Sequence, residues 1–252
     1  MRSDKVNRIT KTVLAFLFWM LVWELCALKV GKELILPDPF AVFRTLGELV
    51  TTGKFWLSTL TTILRIIAGY LLGIILGILF SVLTCTFRTA DALISPLIRI
   101  IRATPVASFI ILALLWMGKN YVPLFMSLLM VLPIVWGNIT EAYRNTDERL
   151  IEMGRAYSFS RMKMFLYIYV PSVLPGLKAA CMTSVGLAWK SGIAAEVLSQ
   201  PKFAMGSQLY YSKIYLETAS LFAWTAVVII LSFLIEKIFK YGFEKLFARI
   251  MK

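Results

Sequence analysis

The sequence predicts an all-α integral membrane protein with six transmembrane helices, and three observations predict it. Hydrophobic residues make up 59% of the 252 residues and mean hydropathy is +0.78, above the roughly 45–50% apolar share of soluble domains. Apolar runs of about 20 residues, enough to cross a hydrocarbon core of about 30 Å, recur along the chain. Lys and Arg gather in alternate segments between those runs. Six spans with their loops use up residues 1–252 as a single transmembrane domain, with no room for a soluble one.

The first span is expected at about 12–30, too long for a signal-peptide core and read as retained. Leu36-Pro37-Asp38-Pro39 then opens an amphipathic stretch. The second span covers about 60–86 and repeats glycine at Gly69, Gly73 and Gly77, a spacing that admits another helix closely. The third, at about 104–118 with an apolar approach from Leu93, is the weakest, because Arg102 borders it and Pro105 interrupts it. Neighbouring helices or water must satisfy the carbonyl that Pro105 frees. The fourth, fifth and sixth spans fall near 121–138, 176–198 and 219–241. Trp56, Trp116 and Trp136, near span ends, are placed in interfacial belts.

Basic residues set the orientation. Arg2, Lys5, Arg8 and Lys11 precede span one, and Arg88, Arg99 and Arg102 follow span two. Arg144, Arg149, Arg155, Arg161 and Lys163 follow span four, and Lys237, Lys240, Lys245, Arg249 and Lys252 end the chain. The alternation places both termini and the 139–175 loop in the cytoplasm. The net charge of +13 then reflects juxtamembrane contact with anionic lipid, not nucleic acid.

The 139–175 loop carries its own pattern. Asn145 is positioned to cap a helix, with Glu148 reaching back to it. Leu150, Met153 and Tyr157 recur at helical spacing as one apolar stripe, opposite Arg149, Glu152 and Arg155. Ser158-Phe159-Ser160 breaks the run, and Ser160 caps a second helix that turns Phe165, Ile168 and Tyr169 inward until Pro171 stops it. The stripe needs a cover, which lipid, the bundle itself or a partner's groove could supply. Gly154 is read as a point where a partner's backbone approaches closely.

Arg65, Lys190 and Glu196 lie inside predicted spans. A charge at the bilayer centre costs about 2.5–3.5 kcal/mol on insertion scales, so such residues usually face water or the bundle interior. Lys190 and Glu196 are six positions apart, about 240° around a helix, and cannot pair. Lys190, with Trp189 beside it, is the stronger candidate for a translocation pathway; the alternative for Arg65 and Lys190 is snorkelling. Histidine is absent, Cys26, Cys85 and Cys181 are far apart, and no phosphate-binding G-x-x-x-x-G-K-[ST] occurs. The expectation is a protein that is not an enzyme and takes neither metal nor cofactor.

The segment Glu152-Met153-Gly154, with Ser158 at the position of a family glycine and Val170-Pro171 at its end, resembles the E-A-A loop of membrane subunits of binding-protein-dependent ABC importers. Four further segments are similar to the nitrate/sulfonate/taurine-type permeases: Leu36-Pro37-Asp38-Pro39, Arg65 to Tyr70, Arg102 to Ala107, and Gly186-Leu187-Ala188-Trp189-Lys190 leading to Ala195-Glu196. The resemblance implies a type I importer permease fold in the bacterial plasma membrane. It implies that Glu152, Met153, Gly154, Tyr157, Ser158 and Pro171 couple to a pair of ATP-binding subunits; the expected pathway residues are the intramembrane Lys190, Arg65 and Glu196, with Trp189. It also implies a second permease copy, and an extracytoplasmic substrate-binding protein that delivers a small solute such as a sulfonate, nitrate or heterocycle. A six-span secondary transporter or channel working without ATP is the alternative, and it leaves the 152–171 element unexplained.

Overall fold

The computed structural model describes residues 2–250, and its elements are helices throughout. In chain order they are α1 Arg2–Val30, α2 Pro39–Val50, α3 Gly53–Thr86, α4 Arg88–Ala103, α5 Val106–Trp116 and α6 Val122–Arg144. There follow α7 Glu148–Ala156, α8 Arg161–Met164, a π-helical turn Phe165–Tyr169, α9 Val170–Ser199, α10 Met205–Ile214 and α11 Thr218–Ile250. Five stretches are long and apolar enough to cross a bilayer: Val13–Val30, Gly53–Thr86, Val122–Arg144, Arg161–Ser199 and Thr218–Phe247. The α4–α5 pair makes a sixth if counted as one broken span.

The core forms where α3 lies on α6. A Cβ built on Gly73 would stand 2.7 Å from Val131 Cβ, and one on Gly77 2.7 Å from Val135 Cβ. At Gly69 it would strike the carbonyl oxygen of Leu124. The glycine repeat therefore lets α3 backbone rest directly on α6, with Val131 and Val135 fully buried between them. Helix α9 closes the third side. Gly192 abuts Ile66 of α3, Tyr70 donates its hydroxyl to Cys181 O at 2.7 Å, and Ser127 donates to Ala188 O at 3.1 Å. Beyond α9, Trp189 is buried and donates to Val228 O of α11 at 3.2 Å.

The amino-terminal span stands apart. Its apolar face is exposed in this chain, and Trp23 anchors it by donating to Pro37 O at 3.0 Å and stacking on Phe222. Asp38 then caps α2, accepting from Ala41 N–H at 2.6 Å, with Pro39 at the first helical position where its missing donor costs nothing.

Two expectations need correction. The third span is not one helix: α4 and α5 meet at 111°. Thr104 before the proline is extended, as the Pro105 ring demands. The 11 residues of α5 reach only about 16 Å, roughly half the hydrocarbon thickness. Secondly, Pro171 does not stop the helix beginning near Ser160. The turn before it widens to a π-helix in which Val170 N–H bonds Phe165 O, and the chain continues through Pro171 and Pro175 to Ser199. Trp136 donates to Thr84 Oγ1 at 3.0 Å and carries Arg102 6.0 Å from its ring centre.

The α3–α6 contact predicts the most size-sensitive site in the bundle. Gly73→Leu should destabilise by about 1–3 kcal/mol or more, seen as a lower thermal midpoint and a smaller monodisperse fraction after detergent extraction. Gly47→Ala, at a position with nothing within 4 Å, should leave both unchanged or slightly improved. Equal behaviour of the two variants would refute the packing assignment.

Candidate functional site

Two regions carry the polar chemistry. One is the segment 147–171 at one end of the bundle; the other is a buried carboxylate near the opposite end.

At the first, α7 is capped by Asp147, whose Oδ1 accepts from Arg149 N–H at 2.9 Å. Asn145, the expected cap, instead terminates α6, its N–H bonding Glu141 O at 3.0 Å. Helix α6 runs longer than its apolar stretch suggests, and this displaces the next cap by two residues. Leu150, Met153 and Tyr157 point outward at 40%, 44% and 74% exposure, and Glu152 is exposed beside them. Among the described residues the stripe stays largely uncovered, with only the Phe159 ring recorded near it, 6.5 Å from that of Tyr157.

Gly154 faces the other way. It is buried, and a Cβ there would lie 2.6 Å from Ile168 Cδ1 and collide with Met164 Sδ. The close approach that glycine permits is thus made by the chain's own following helix, not by a partner. Ser158 ends α7 in the left-handed region at φ +52°. Its N–H bonds Arg155 O and the next N–H, of Phe159, bonds Gly154 O, each at 2.9 Å. That is a Schellman stop, where glycine is the favoured residue, so the serine sits where the family pattern has glycine for a conformational reason. Ser160 caps α8 as expected, accepting from Lys163 N–H at 3.4 Å. Pro171 lies back inside the long helix.

At the opposite end, Glu196 is fully buried. Thr62 Oγ1 lies 2.9 Å from both its carboxylate oxygens, Gly206 N–H donates to Oε2 at 3.1 Å, and Arg65 Nη1 stands 3.6 Å from Oε1. Thr62 Oγ1 in turn accepts from Met205 N–H at 3.0 Å. Arg65 also donates to Lys202 O at 2.9 Å and Phe203 O at 3.3 Å. The carboxylate sits at the first turn of α10, where free N–H groups and the helix dipole favour a negative charge. Three elements, α3, α9 and α10, are joined through one side chain.

The expected pathway set therefore divides. Glu196 and Trp189 are buried against other helices and Arg65 holds loop carbonyls, so within this chain these three serve packing and position. Lys190 is exposed on the α9 face that also carries Thr183, Leu187, Ala194 and Leu198, with no hydrogen-bond or ion-pair partner among the described residues. Sequence reasoning excluded a Lys190–Glu196 pair correctly but did not find Thr62 or Gly206. Thr62 lies one turn before Arg65 on the same helix, a signal that gains meaning only once α9 is placed beside it.

The sequence profile of the family described as binding-protein-dependent transport system inner membrane component matches residues 69–247. The putative aliphatic sulfonates transport permease protein SsuC of Escherichia coli is 30% identical over 181 residues, covering 71% of this chain and 68% of that protein. Its counterpart of the same description in Bacillus subtilis is 24% identical, over 80% of this chain and 74% of that one. Among solved structures, an amino acid ABC transporter aligns with a TM-score of 0.59 at 14% identity, covering 76% of this chain and 90% of the other.

Replacing Glu196 with leucine should leave Gly206 N–H, Thr62 and the partly buried Arg65 without their acceptor, destabilising by about 3 kcal/mol or more. Glu196→Gln keeps an acceptor for two of the three and should recover part of that loss. The check is thermal unfolding in detergent; a leucine variant as stable as the parent would show that the cluster does not tie α10 down.

Proposed function

The chain belongs to the family of binding-protein-dependent transport system inner membrane components, and from that premise we propose that it forms, with a second copy of itself, the inward path of an ATP-driven importer for a small anionic solute of the sulfonate class. It is a multi-pass membrane permease with the type I importer fold. Hydrolysis of ATP belongs, on this reading, to a separate pair of subunits, and an extracytoplasmic binding protein delivers the solute.

The observation that carries the reading is the uncovered stripe of α7. Leu150, Met153 and Tyr157 form an apolar face on a nine-residue helix outside the bundle, with the acid Glu152 at its edge. A short helix that presents such a face, held rigidly by Gly154 against Ile168, suits a partner's groove. Helix α8, the π-turn and α9 form one continuous helical run that crosses the membrane, and α7, joined to it by the turn 157–160, rests on that run through Gly154. Met164 and Ile168 make that contact. Gly154 contributes by allowing that contact, and Ser158 by fixing the angle at which α7 leaves it.

The sulfonate class is supported by the likeness to the E. coli aliphatic sulfonates transport permease protein and by Lys190. An unpaired lysine on an exposed face of a central helix is costly in lipid and favourable beside water and an anion. The second copy is where that face gains its other wall. A secondary transporter working without ATP leaves both the family match and α7 without a role.

The basic-residue distribution supports a cytoplasmic position for both termini and α7. Single cysteines at Ser160 and Tyr215, in a background without the native three, test this: an impermeant reagent applied outside should modify position 215 and spare position 160. The reverse pattern overturns the orientation and the coupling role together.

The functional test is the intact complex reconstituted with its ATP-binding subunits and binding protein. Glu152→Lys should lower solute-stimulated ATP hydrolysis at least about tenfold, the effect of about 1.4 kcal/mol at an interface charge. Lys190→Met should leave assembly and ATP hydrolysis near the parental level and slow uptake of an aliphatic sulfonate. Parental stimulation in the first variant removes α7 as the coupling helix; parental uptake in the second removes Lys190 from the pathway.

A further inference from the structure

A cavity of about 720 Å³ opens at the α7 end of the bundle, between the end of α3 and the start of α9. This is the size of a well-formed small-molecule site. Its deep walls are apolar: Ile78 and Val82 from α3, Ile139 from α6, and Val173, Leu174 and Leu177 from α9. Ile78 lies eight residues before the end of α3, so the cavity runs roughly 12 Å into the part of the bundle that crosses the membrane. Its outer rim is different. Arg155 at the end of α7 and Arg161 at the start of α8 border it, and both are exposed. Neither guanidinium has an ion pair or side-chain hydrogen bond among the described residues.

The two halves call for one amphipathic occupant. A soluble anion would satisfy the arginines and leave the apolar wall facing water. A neutral hydrocarbon would cover the wall and leave two unpaired cations at its rim. We propose that this cavity holds an anionic phospholipid of the membrane leaflet on the α7 side. Its phosphate is held between Arg155 and Arg161 by charge-assisted hydrogen bonds, and an acyl chain lies along Val82, Leu174 and Leu177. Leaflets facing the cytoplasm are rich in such headgroups and draw basic juxtamembrane groups to them. The lipid then fills the space between the coupling segment and the membrane helices, and α7 rests partly on lipid as well as on Met164 and Ile168.

The test reads lipid retention directly and so stands or falls apart from transport. The intact complex, purified in mild detergent and exposed to mixed micelles of equal phosphatidylglycerol and phosphatidylcholine, is examined by native mass spectrometry. The parent should retain phosphatidylglycerol in preference to phosphatidylcholine. Arg155→Gln and Arg161→Gln should each lower that preference about fivefold. Leu174→Trp, which fills the deep end, should lower retention of both lipids. Lys237→Gln with Lys240→Gln, an exposed pair on α11 that takes no part in lining the cavity, should change nothing, which separates this site from the general basic surface. Equal retention of the two lipids by the parent, or an unchanged preference in both the Arg155→Gln and the Arg161→Gln variant, overturns the proposal. Displacement of phosphatidylglycerol by inorganic phosphate also overturns it, since that marks a site for a free anion.

Discussion

The close approach of α3 to α6 sets the geometry that every other contact uses. Three glycines on one face of α3 let its backbone meet the side chains of Val131 and Val135 and the Leu124 carbonyl without an intervening layer. In lipid no hydrophobic force drives helices together, because the tails are as apolar as leucine, so intimate packing of this kind supplies the attraction. Once α3 and α6 are locked, Ile66 and Ser127 stand at the height where Gly192 of α9 fits between them. Tyr70 reaches Cys181, and Trp189 then projects from the far face of α9 toward α11.

That tight bundle contrasts with its two ends, which use polar chemistry. Glu196 would be expensive in hydrocarbon alone, yet it accepts hydrogen bonds from Thr62 and the Gly206 backbone with a guanidinium nearby. It joins a short helix that lacks the length to hold itself. Two left-handed residues, Gln200 and Phe203, turn the connecting loop, and Gln200 ends α9 with its N–H on the Glu196 backbone carbonyl. At the other end the polar work is done by caps and a Schellman stop, which fix α7 at a definite angle and leave one of its faces bare. One end is closed by a buried acid; the other remains open for contact.

Exposure on α1 and on the outer face of α9 belongs with this picture. Apolar side chains that face outward in a membrane protein are satisfied by lipid, so their exposure alone asks for no partner. Lys190 is the exception, because lipid does not satisfy it. The α7 stripe differs for a second reason: it stands beyond the membrane-crossing part of the chain, where water would be its alternative.

The amino-acid sequence by itself determined the class, the number of apolar stretches, the charge alternation, the glycine seam and the position of the loop that carries α7. These follow from hydropathy, length and small-residue spacing, all of which act locally and survive in any arrangement of neighbours. Ser160 as a cap and Asp38-Pro39 as a helix start were legible for the same reason. The tertiary structure alone decided which way each side chain faces. Gly154 turned toward Ile168 because α8 folds back beneath α7, a contact across fourteen residues that no single helix pattern contains. Pro171 follows a π-turn and lies within a helix that runs on to Ser199, and at Pro105 the chain bends by 111°, with Arg102 donating to Pro133 O of α6 just before it. Glu196 found Thr62 and Arg65 more than 130 positions earlier in the chain. A buried charge is tolerated only where partners converge from several elements, and convergence of that kind is a property of packing, not of spacing along the sequence.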